Sequence, residues 1–317
     1  MNLTESFIIP ENESPDRADR IIVRCLEGSL TRSSVARLIR QQRILVGGKP
    51  IRPSSVLNPG DTILIVSGET EHVPTRTEPL PEIRVLFEDN HVVVVNKPPG
   101  LVVHPGAGRP TGTMMDILVA HRPEMIGVGE PGRWGIVHRL DRDTSGVMVV
   151  AKSVLAHASL SVQFRTHSIY RVYLALVRGS PRAEEGTIDA PLGRHSGNRK
   201  KISTVAVKYR EAKTRWRIIE RFGSIALLEV KPETGRTHQI RVHLASVGLP
   251  ILGDPVYGRQ RRQPRPTDRI MRRACEIMKR QALHAAVLGF HHPADGSYLE
   301  HSSPLPSDMR AVLNLFG

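Results

Sequence analysis

An α+β fold, with a small N-terminal domain ahead of a larger domain built on a mixed, mainly antiparallel sheet, is predicted for this 317-residue chain. Strand-like apolar runs are many and helix-like ones few, in a mixed order that suits such a sheet. The stretch 67–81 holds Gly68, Pro74, Pro79 and Pro81 among charged residues and threonines, and reads as a linker. No period of roughly 20 to 50 residues recurs, which removes solenoids. The expected domains are 16–67, a linker at 68–82, and 83–317.

Lysine and arginine number 45 against 31 acidic residues, a net charge of +14. Such a balance favours a polyanion, nucleic acid or an anionic membrane. No uninterrupted apolar run approaches the roughly 18 residues of a spanning helix, and Glu5, Glu11 and Glu13 stand where a leader would be basic. Nucleic acid is therefore the expected partner and no membrane is expected; separately, the chain is expected to be a monomer. Cys25 and Cys275 form no Cys-x-x-Cys or Cys/His cluster, so neither a disulfide framework nor a zinc site is expected and the cytoplasm is the natural compartment. The pairs His238/His243 and His291/His292 lack the companions of a metal site.

In the N-terminal region, Val35, Leu38 and Ile39 recur at helical spacing with Arg32, Arg37, Arg40 and Arg43 between them, predicting an amphipathic helix within 30–44 with a basic flank. Ile44-Leu45-Val46, a Gly47-Gly48 turn, Asn58-Pro59-Gly60-Asp61 and Thr62 to Val66 then read as short strands joined by turns. Nine basic residues against four acidic ones between Asp16 and Val66 fit either a solvated helical face or a phosphate-contacting surface.

In the larger region, Ile83 to Phe87 and His91 to Asn96 read as strands, the second buried on both faces because four valines run together. Gly106 and Gly108 follow in a loop that reads as a plain turn. Ser153 is the expected N-cap of a helix to about Arg165, with Leu155, Ala158 and Val162 on its stripe. Ile169 to Val177 alternates cleanly as a strand, with Arg171, Tyr173 and Ala175 on one face. Arg199 to Arg221 is a basic strip with Tyr209 and Trp216, which suits RNA or a solvated sheet edge. Ile225 to Val230 is another buried strand. The segment Glu233 to Leu244 is expected to open a helix with Ile240, Leu244 and Val247 inward and Gly248 as its stop. His238 and Arg241 then share a face, and an arginine beside a core stripe needs a partner. A second basic span, Arg259 to Arg280, and a closing helix at 307–316 complete the chain.

Between Ile136-Val137 and the apolar run Val147 to Ala151 lies the polar turn His138-Arg139-Leu140-Asp141-Arg142-Asp143-Thr144-Ser145-Gly146. By spacing alone, an ordinary loop with a surface ion pair worth about 0 to 1 kcal/mol is the better account of it. In its residues, however, the turn resembles the catalytic motif of the RluA-type RNA pseudouridine synthases. Asn96-Lys97-Pro98 with Gly100 to Gly108 resembles the synthase D branch, which acts on large-subunit ribosomal RNA. Thr31-Arg32-Ser33, Leu38-Ile39, Ile44-Leu45-Val46 and Pro59-Gly60-Asp61 resemble an S4 RNA-binding domain, with Gly47 where that domain commonly has Asn. The likeness spans roughly 17–317.

The resemblance implies an isomerase that turns selected uridines into pseudouridines. Asp141 would be the nucleophile, Arg241 its ion-pair partner and Tyr173 a platform for the base, where stacking contributes about 1 to 3 kcal/mol. Arg139 would hold the space of the everted base, His138 would contact substrate, and Leu283 would line the uracil pocket. Arg32, Arg37 and Arg40 would meet RNA phosphates. Ribosomal RNA, free or in a pre-ribosomal particle, is the implied partner, and neither cofactor nor metal is expected. Two rivals remain: a non-catalytic S4-type RNA-binding protein on the same scaffold, and a glycosidase using Asp141 with Asp143 or Asp116.

Overall fold

The structure, a computed structural model, describes residues 4–26, 32–40, 42–66, 82–105, 111–130, 132–194, 201–204, 209–258 and 269–316. The chain divides into two compact units, 1–79 and 80–317.

The first unit runs β1 (Thr4–Ile8), β2 (Asp16–Arg17), α1 (Ala18–Cys25), α2 (Arg32–Arg40), β3 (Ile44–Val46), β4 (Lys49–Pro50), β5 (Val56–Leu57) and β6 (Thr62–Val66). Its four-stranded sheet has the order β1-β6-β3-β4. Ile21 and Ile22 of α1 and Val35 and Ile39 of α2 close over Ile44 and Ile63, all buried. Gly47 and Gly48 both take positive φ in the β3–β4 turn, which residues without a Cβ adopt at no steric cost. Arg32 has a structural task here: its Nε donates to the buried Asp19 carboxylate, which also binds Arg17, tying α2 to α1. Arg40 is exposed at the end of α2. The Arg37 side chain lies outside the described residues.

The second unit continues β7 (Arg84–Glu88), β8 (Val92–Lys97), α3 (Met114–His121), β9 (Ser145–Ala151), α4 (Val154–Arg165), β10 (Tyr170–Arg178), β11 (Glu185–Asp189) and β12 (Leu192–Arg194). Then come β13 (Ile202–Ser203), β14 (Tyr209–Arg210), β15 (Lys213–Phe222), β16 (Ile225–Pro232), α5 (Gln239–Ser246), α6 (Arg269–Ile277), β17 (Leu283–His291), β18 (Tyr298–Ser302) and α7 (Ser307–Leu313). The main sheet has the order β11-β15-β16-β10-β17-β9-β8-β7, with β18 also on β17, while β12, β13 and β14 form a small sheet of their own. The β9–β17 contact is parallel; the other strand pairs of this sheet, among the described residues, are antiparallel. The mixed, mainly antiparallel sheet expected from the sequence is thus present.

Val92 to Val95 and Val147 to Ala151 are all buried, on both faces of the sheet. Full burial of one such valine contributes about 1.5 kcal/mol. Helix α4 starts as expected, with Ser153 Oγ accepting the Ala156 N–H, but its inward stripe is different. Ala156 and Leu160 are buried, with Phe164 packed beside them, whereas Leu155 and Val162 are exposed; both stripes have helical spacing, and only the sheet beneath selects one. Helix α5 starts at Gln239, later than the pattern suggests, because 233–238 is used as a turn. Its terminal Val247 is half-exposed. Helix α3 is absent from the sequence expectation: it is apolar nearly all round, so no 3.6-residue contrast marks it, and Thr113 and Asp116 close its start as a capping box.

Two buried cations hold the turn that precedes β9. Lys97 is wholly buried and donates to the carbonyls of Pro98, Leu101 and Arg142 at 2.8, 2.9 and 2.9 Å. Burial pushes its ammonium down to about 7. Arg280 forks onto Asp308 and donates through Nη1 to the carbonyls of Asp143 and Gln281. Thr144 N–H closes the turn on the Asp141 carbonyl at 3.1 Å. Gly146, at φ +121, lies so close to Ala285 of β17 that an added Cβ would meet its carbonyl oxygen.

Two outcomes are expected. Lys97→Met leaves three carbonyls without their donor and lowers stability by about 3 kcal/mol or more, read from the denaturant midpoint. Gly146→Ala forces β9 from β17 and costs about 2 kcal/mol or more, seen as a melting temperature lower by roughly 4 to 8 °C.

Candidate active site

Three adjacent strands set the floor of the site. Tyr173 of β10 is opposite Ala285 of β17, and Ala285 is opposite Gly146 of β9. The turn carrying Asp141 therefore leaves the sheet beside Tyr173, and Leu283 at the start of β17 lies two residues from that row. A cavity of about 570 Å³ opens here, lined by Arg139, Asp141, Tyr173, His238, Arg241 and Leu283 among others. That volume falls in the usual range of small-ligand sites, about 300 to 1000 Å³. Among the described residues lining it, Asp141 is the one carboxylate.

Arg241 reaches Asp141 from α5, with Nη1 donating to Oδ2 at 2.8 Å. Its other edge forks onto Asp254, Nε to Oδ2 at 2.7 Å and Nη2 to Oδ1 at 2.9 Å. Asp254 in turn accepts the backbone N–H groups of Val256 and Tyr257. Burial works against the Arg241 charge, yet Asp254 and Asp141 together hold the guanidinium above its ordinary range. Burial likewise opposes the Asp254 anion, and Arg241 with the two amides still holds it below the ordinary carboxylate range. No hydrogen bond from the described residues reaches Asp141 Oδ1.

The turn before α5 is fixed by Gln239. Its Oε1 accepts the Thr234 hydroxyl and the Arg236 N–H, and its Nε2 donates to the Lys213 carbonyl and Thr214 Oγ1. This places His238 in the left-handed region, φ 56 and ψ 16, with Nε2 3.8 Å from Asp141 Oδ2. On the other side its Nδ1 meets the Tyr257 hydroxyl at 2.9 Å, and the Tyr257 ring also lies under the Arg241 guanidinium at 5.1 Å.

The sequence-expected residues separate into two groups. Asp141, Arg241, Tyr173, Arg139 and Leu283 share the cavity. Burial raises the Tyr173 phenol, and the Asp141 charge adds to this; Arg139 is exposed at the mouth with Arg133 and Arg165 nearby on the lining. His138 borders the same cavity but is committed to its wall. Its ring stacks on Phe164 at 4.4 Å, and its Nε2 accepts the Val149 N–H at 3.2 Å. Burial, helped by Arg171, pushes it down to about 3, so it stays neutral. Arg32 and Arg40 belong to the first unit.

Three groups at the site carry no functional signal in the sequence: Asp254, Tyr257 and His238. Asp254 and Tyr257 stand in a Gly-flanked loop, 253–258, whose only local signal is a turn. Helical spacing puts His238 on one face with Arg241 but assigns it no task. The glycosidase partners do not fit. Asp116 is used in the α3 capping box, and Asp143 is paired with Arg142. The basic strip at 199–221 is also largely spoken for where described: Arg215, Arg217 and Arg221 pair with Glu233, Glu229 and Glu184. Gly106, Gly108 and residues 259–268 lie outside the described residues, while the rest of the second basic span is described and holds α6.

Comparison with known proteins gives two family matches, RNA pseudouridylate synthase over residues 91–246 and S4 domain over 17–63. An uncharacterized RNA pseudouridine synthase of Bacillus subtilis is 39% identical over 96% of this chain and 95% of its own length. A ribosomal large subunit pseudouridine synthase D of Nitrosomonas europaea is 39% identical over 98% of this chain and 87% of its own. Among solved structures, human RNA pseudouridylate synthase domain containing 4 superposes with a TM-score of 0.58 at 27% identity, covering 74% of this chain and 92% of that one. With relatives this similar along nearly its whole length, the chain belongs to the RNA pseudouridine synthases, the isomerases that convert uridine in RNA to pseudouridine, and carries an S4 domain at its N-terminal side.

Proposed function

We propose that this enzyme modifies uridines of large-subunit ribosomal RNA with Asp141 as its nucleophile. The observation that supports it most is that, among the described residues lining the cavity, Asp141 is the one carboxylate, with Oδ2 on Arg241 and no hydrogen bond from a described residue on Oδ1. Relatives named as large-subunit synthases support the choice of RNA. No helix among the described residues is long and apolar enough to cross a membrane.

The reaction exchanges the N1–C1′ bond of uridine for a C5–C1′ bond. C1′ is the carbon that changes partner, so a carboxylate that takes C1′ keeps the sugar in place while the base turns. Asp141 Oδ1 attacks C1′, and the bonding pair departs with N1. The uracil anion rotates, C5 attacks C1′, and the Asp141 carboxylate leaves with its electron pair. One proton is lost from C5 and one is gained at N1, so composition is unchanged and no redox partner is needed. The target base must first leave its stack, at a cost of a few kcal/mol. Arg139 fills the vacated space, Tyr173 packs on the uracil, and Leu283 closes the apolar side of the pocket. Arg133, Arg165 and Arg236 at the cavity contribute attraction for phosphates, a salt-dependent effect. Arg32, Arg37 and Arg40 serve as an additional basic surface of the first unit, with Arg32 contributing what its bond to Asp19 leaves free.

Mapping pseudouridine in ribosomal RNA from cells lacking the protein tests this reading. The missing marks should return with the wild-type gene and stay absent with Asp141→Ala. Full restoration by Asp141→Ala would remove the nucleophile assignment, and an unchanged ribosomal RNA profile in the deletion would remove the substrate assignment. Arg241→Lys keeps a charge but loses the fork that serves two carboxylates. Its kcat should fall by about 100-fold, the scale of a misplaced catalytic group, with RNA affinity changed less than threefold in a filter-binding titration.

A further inference from the structure

His238 is held where it is by more than its own helix. A non-glycine residue in the left-handed region is strained, and here that backbone directs the imidazole between Asp141 and Tyr257. Tyr257 Oη already accepts the Ile202 N–H at 2.9 Å. Its own hydrogen then has His238 Nδ1 within reach as acceptor, at 2.9 Å, an arrangement that favours the tautomer with the single proton of a neutral ring on Nε2. That nitrogen is the one 3.8 Å from Asp141 Oδ2 at the cavity. The charged and titratable groups around the ring are Asp141, Arg241, Asp254, Arg139 and Tyr257. Burial lowers the imidazole below its ordinary range, with Arg241 and Arg139 reinforcing this against the pull of Asp141 and Asp254. The ring is therefore neutral at pH 7.

We infer that His238 is a catalytic residue whose Nε2–H donates a hydrogen bond to the uracil carbonyl next to the breaking glycosidic bond. The inference deepens the reading of Asp141 as nucleophile and rests on it. When N1–C1′ breaks, the electron pair left on the base is shared among N1, O2 and O4. O2 sits on the carbon bonded to N1, so it lies beside C1′ and beside the carboxylate that takes C1′. A donor a few ångströms from Asp141 Oδ2 is within reach of that oxygen. No proton changes hands, and the N–H bond stays intact throughout. A charged imidazolium in the same place would pair with Asp141 and compete with Arg241; the neutral tautomer selected by Tyr257 leaves Asp141 to its guanidinium. A fixed donor aimed at developing charge typically accounts for about 100-fold to 1000-fold in rate.

The test uses the full chain, single-turnover kinetics, and an RNA fragment with either uridine or 5-fluorouridine at the target position. Fluorine withdraws charge from the departing base, so that base depends less on the donor. His238→Asn suits the left-handed backbone but is too short to present a donor where Nε2 was. It should slow loss of the target uridine about 100-fold, slow loss of 5-fluorouridine about 10-fold or less, and leave RNA affinity within about twofold. His238→Gln, whose amide reaches the Nε2 position, should recover most of the rate. Tyr257→Phe, which releases the tautomer, should show the same dependence on the leaving base with a smaller loss. An equal defect on both substrates, or a His238→Asn rate within threefold of wild type, overturns the inference. Asp141→Ala run beside them separates the two readings: it should abolish both reactions, and activity there removes the nucleophile while the His238 comparison stands as its own result.

Discussion

A single guanidinium shared by two carboxylates organises the catalytic unit. Arg241 has only 5% of its side chain exposed, and Asp254 has none. A lone charge at either position would be destabilising by several kcal/mol, so each requires the other. The planar fork settles how the charge is divided. Asp254 takes two of the N–H donors and neutralises the cation, while the remaining edge steadies Asp141. The cluster thus keeps one net negative charge, on the residue that faces the cavity. An ammonium at the end of a flexible stem could offer no equivalent division.

Around that anion, the other ionisable groups are kept from competing. His138, His238, His243 and His284 are all lowered chiefly by burial. Three of these rings are tied to neighbours: His138 Nε2 to Val149, His243 to Thr214 and Ala190, and His284 to Ser145 and Ser303. Lys97 and Arg280 spend donors on backbone carbonyls of the Asp141 turn. Free cationic character is left to the mouth, at Arg139 and its neighbours. The result is one anion inside a cationic rim, an arrangement that attracts a polyanion and keeps the Asp141 carboxylate at its end.

The sheet supplies the rigidity this requires. The short parallel contact of β9 with β17 lies directly after the Asp141 turn. Gly146 lets the backbones approach there, and the buried Ser145–His284 hydrogen bond at 2.9 Å fastens the same point. Asp141 is carried by a turn, but a turn bound on one side to β8 through Lys97 and on the other to α7 through Arg280. Sites held by strands and buried hydrogen bonds keep their geometry better than sites on free loops.

Local patterns in the sequence by themselves determined much of this. Four consecutive valines could only be a doubly buried strand, Ser153 could cap a helix, and the His-Arg-Leu-Asp turn, through its likeness to a family motif, pointed to Asp141 and its Arg241 partner. Those readings depend on periodicity or on short spans of chain, which sequence displays directly. Which stripe of α4 turns inward, and the existence of α3, were decided by the surfaces they pack on, because helical spacing admits two stripes in one and contrast is missing in the other. His138, expected to contact substrate, is part of the wall, since only packing shows that Phe164 and Val149 claim its ring. Asp254, Tyr257 and His238 act through partners 13 or more residues away, and a hydrogen-bonded cluster closed across such distances leaves no trace in any local window. Tertiary structure alone placed those groups, because a buried charge or ring nitrogen is stabilised by whatever partner the fold brings within reach, however distant in the chain.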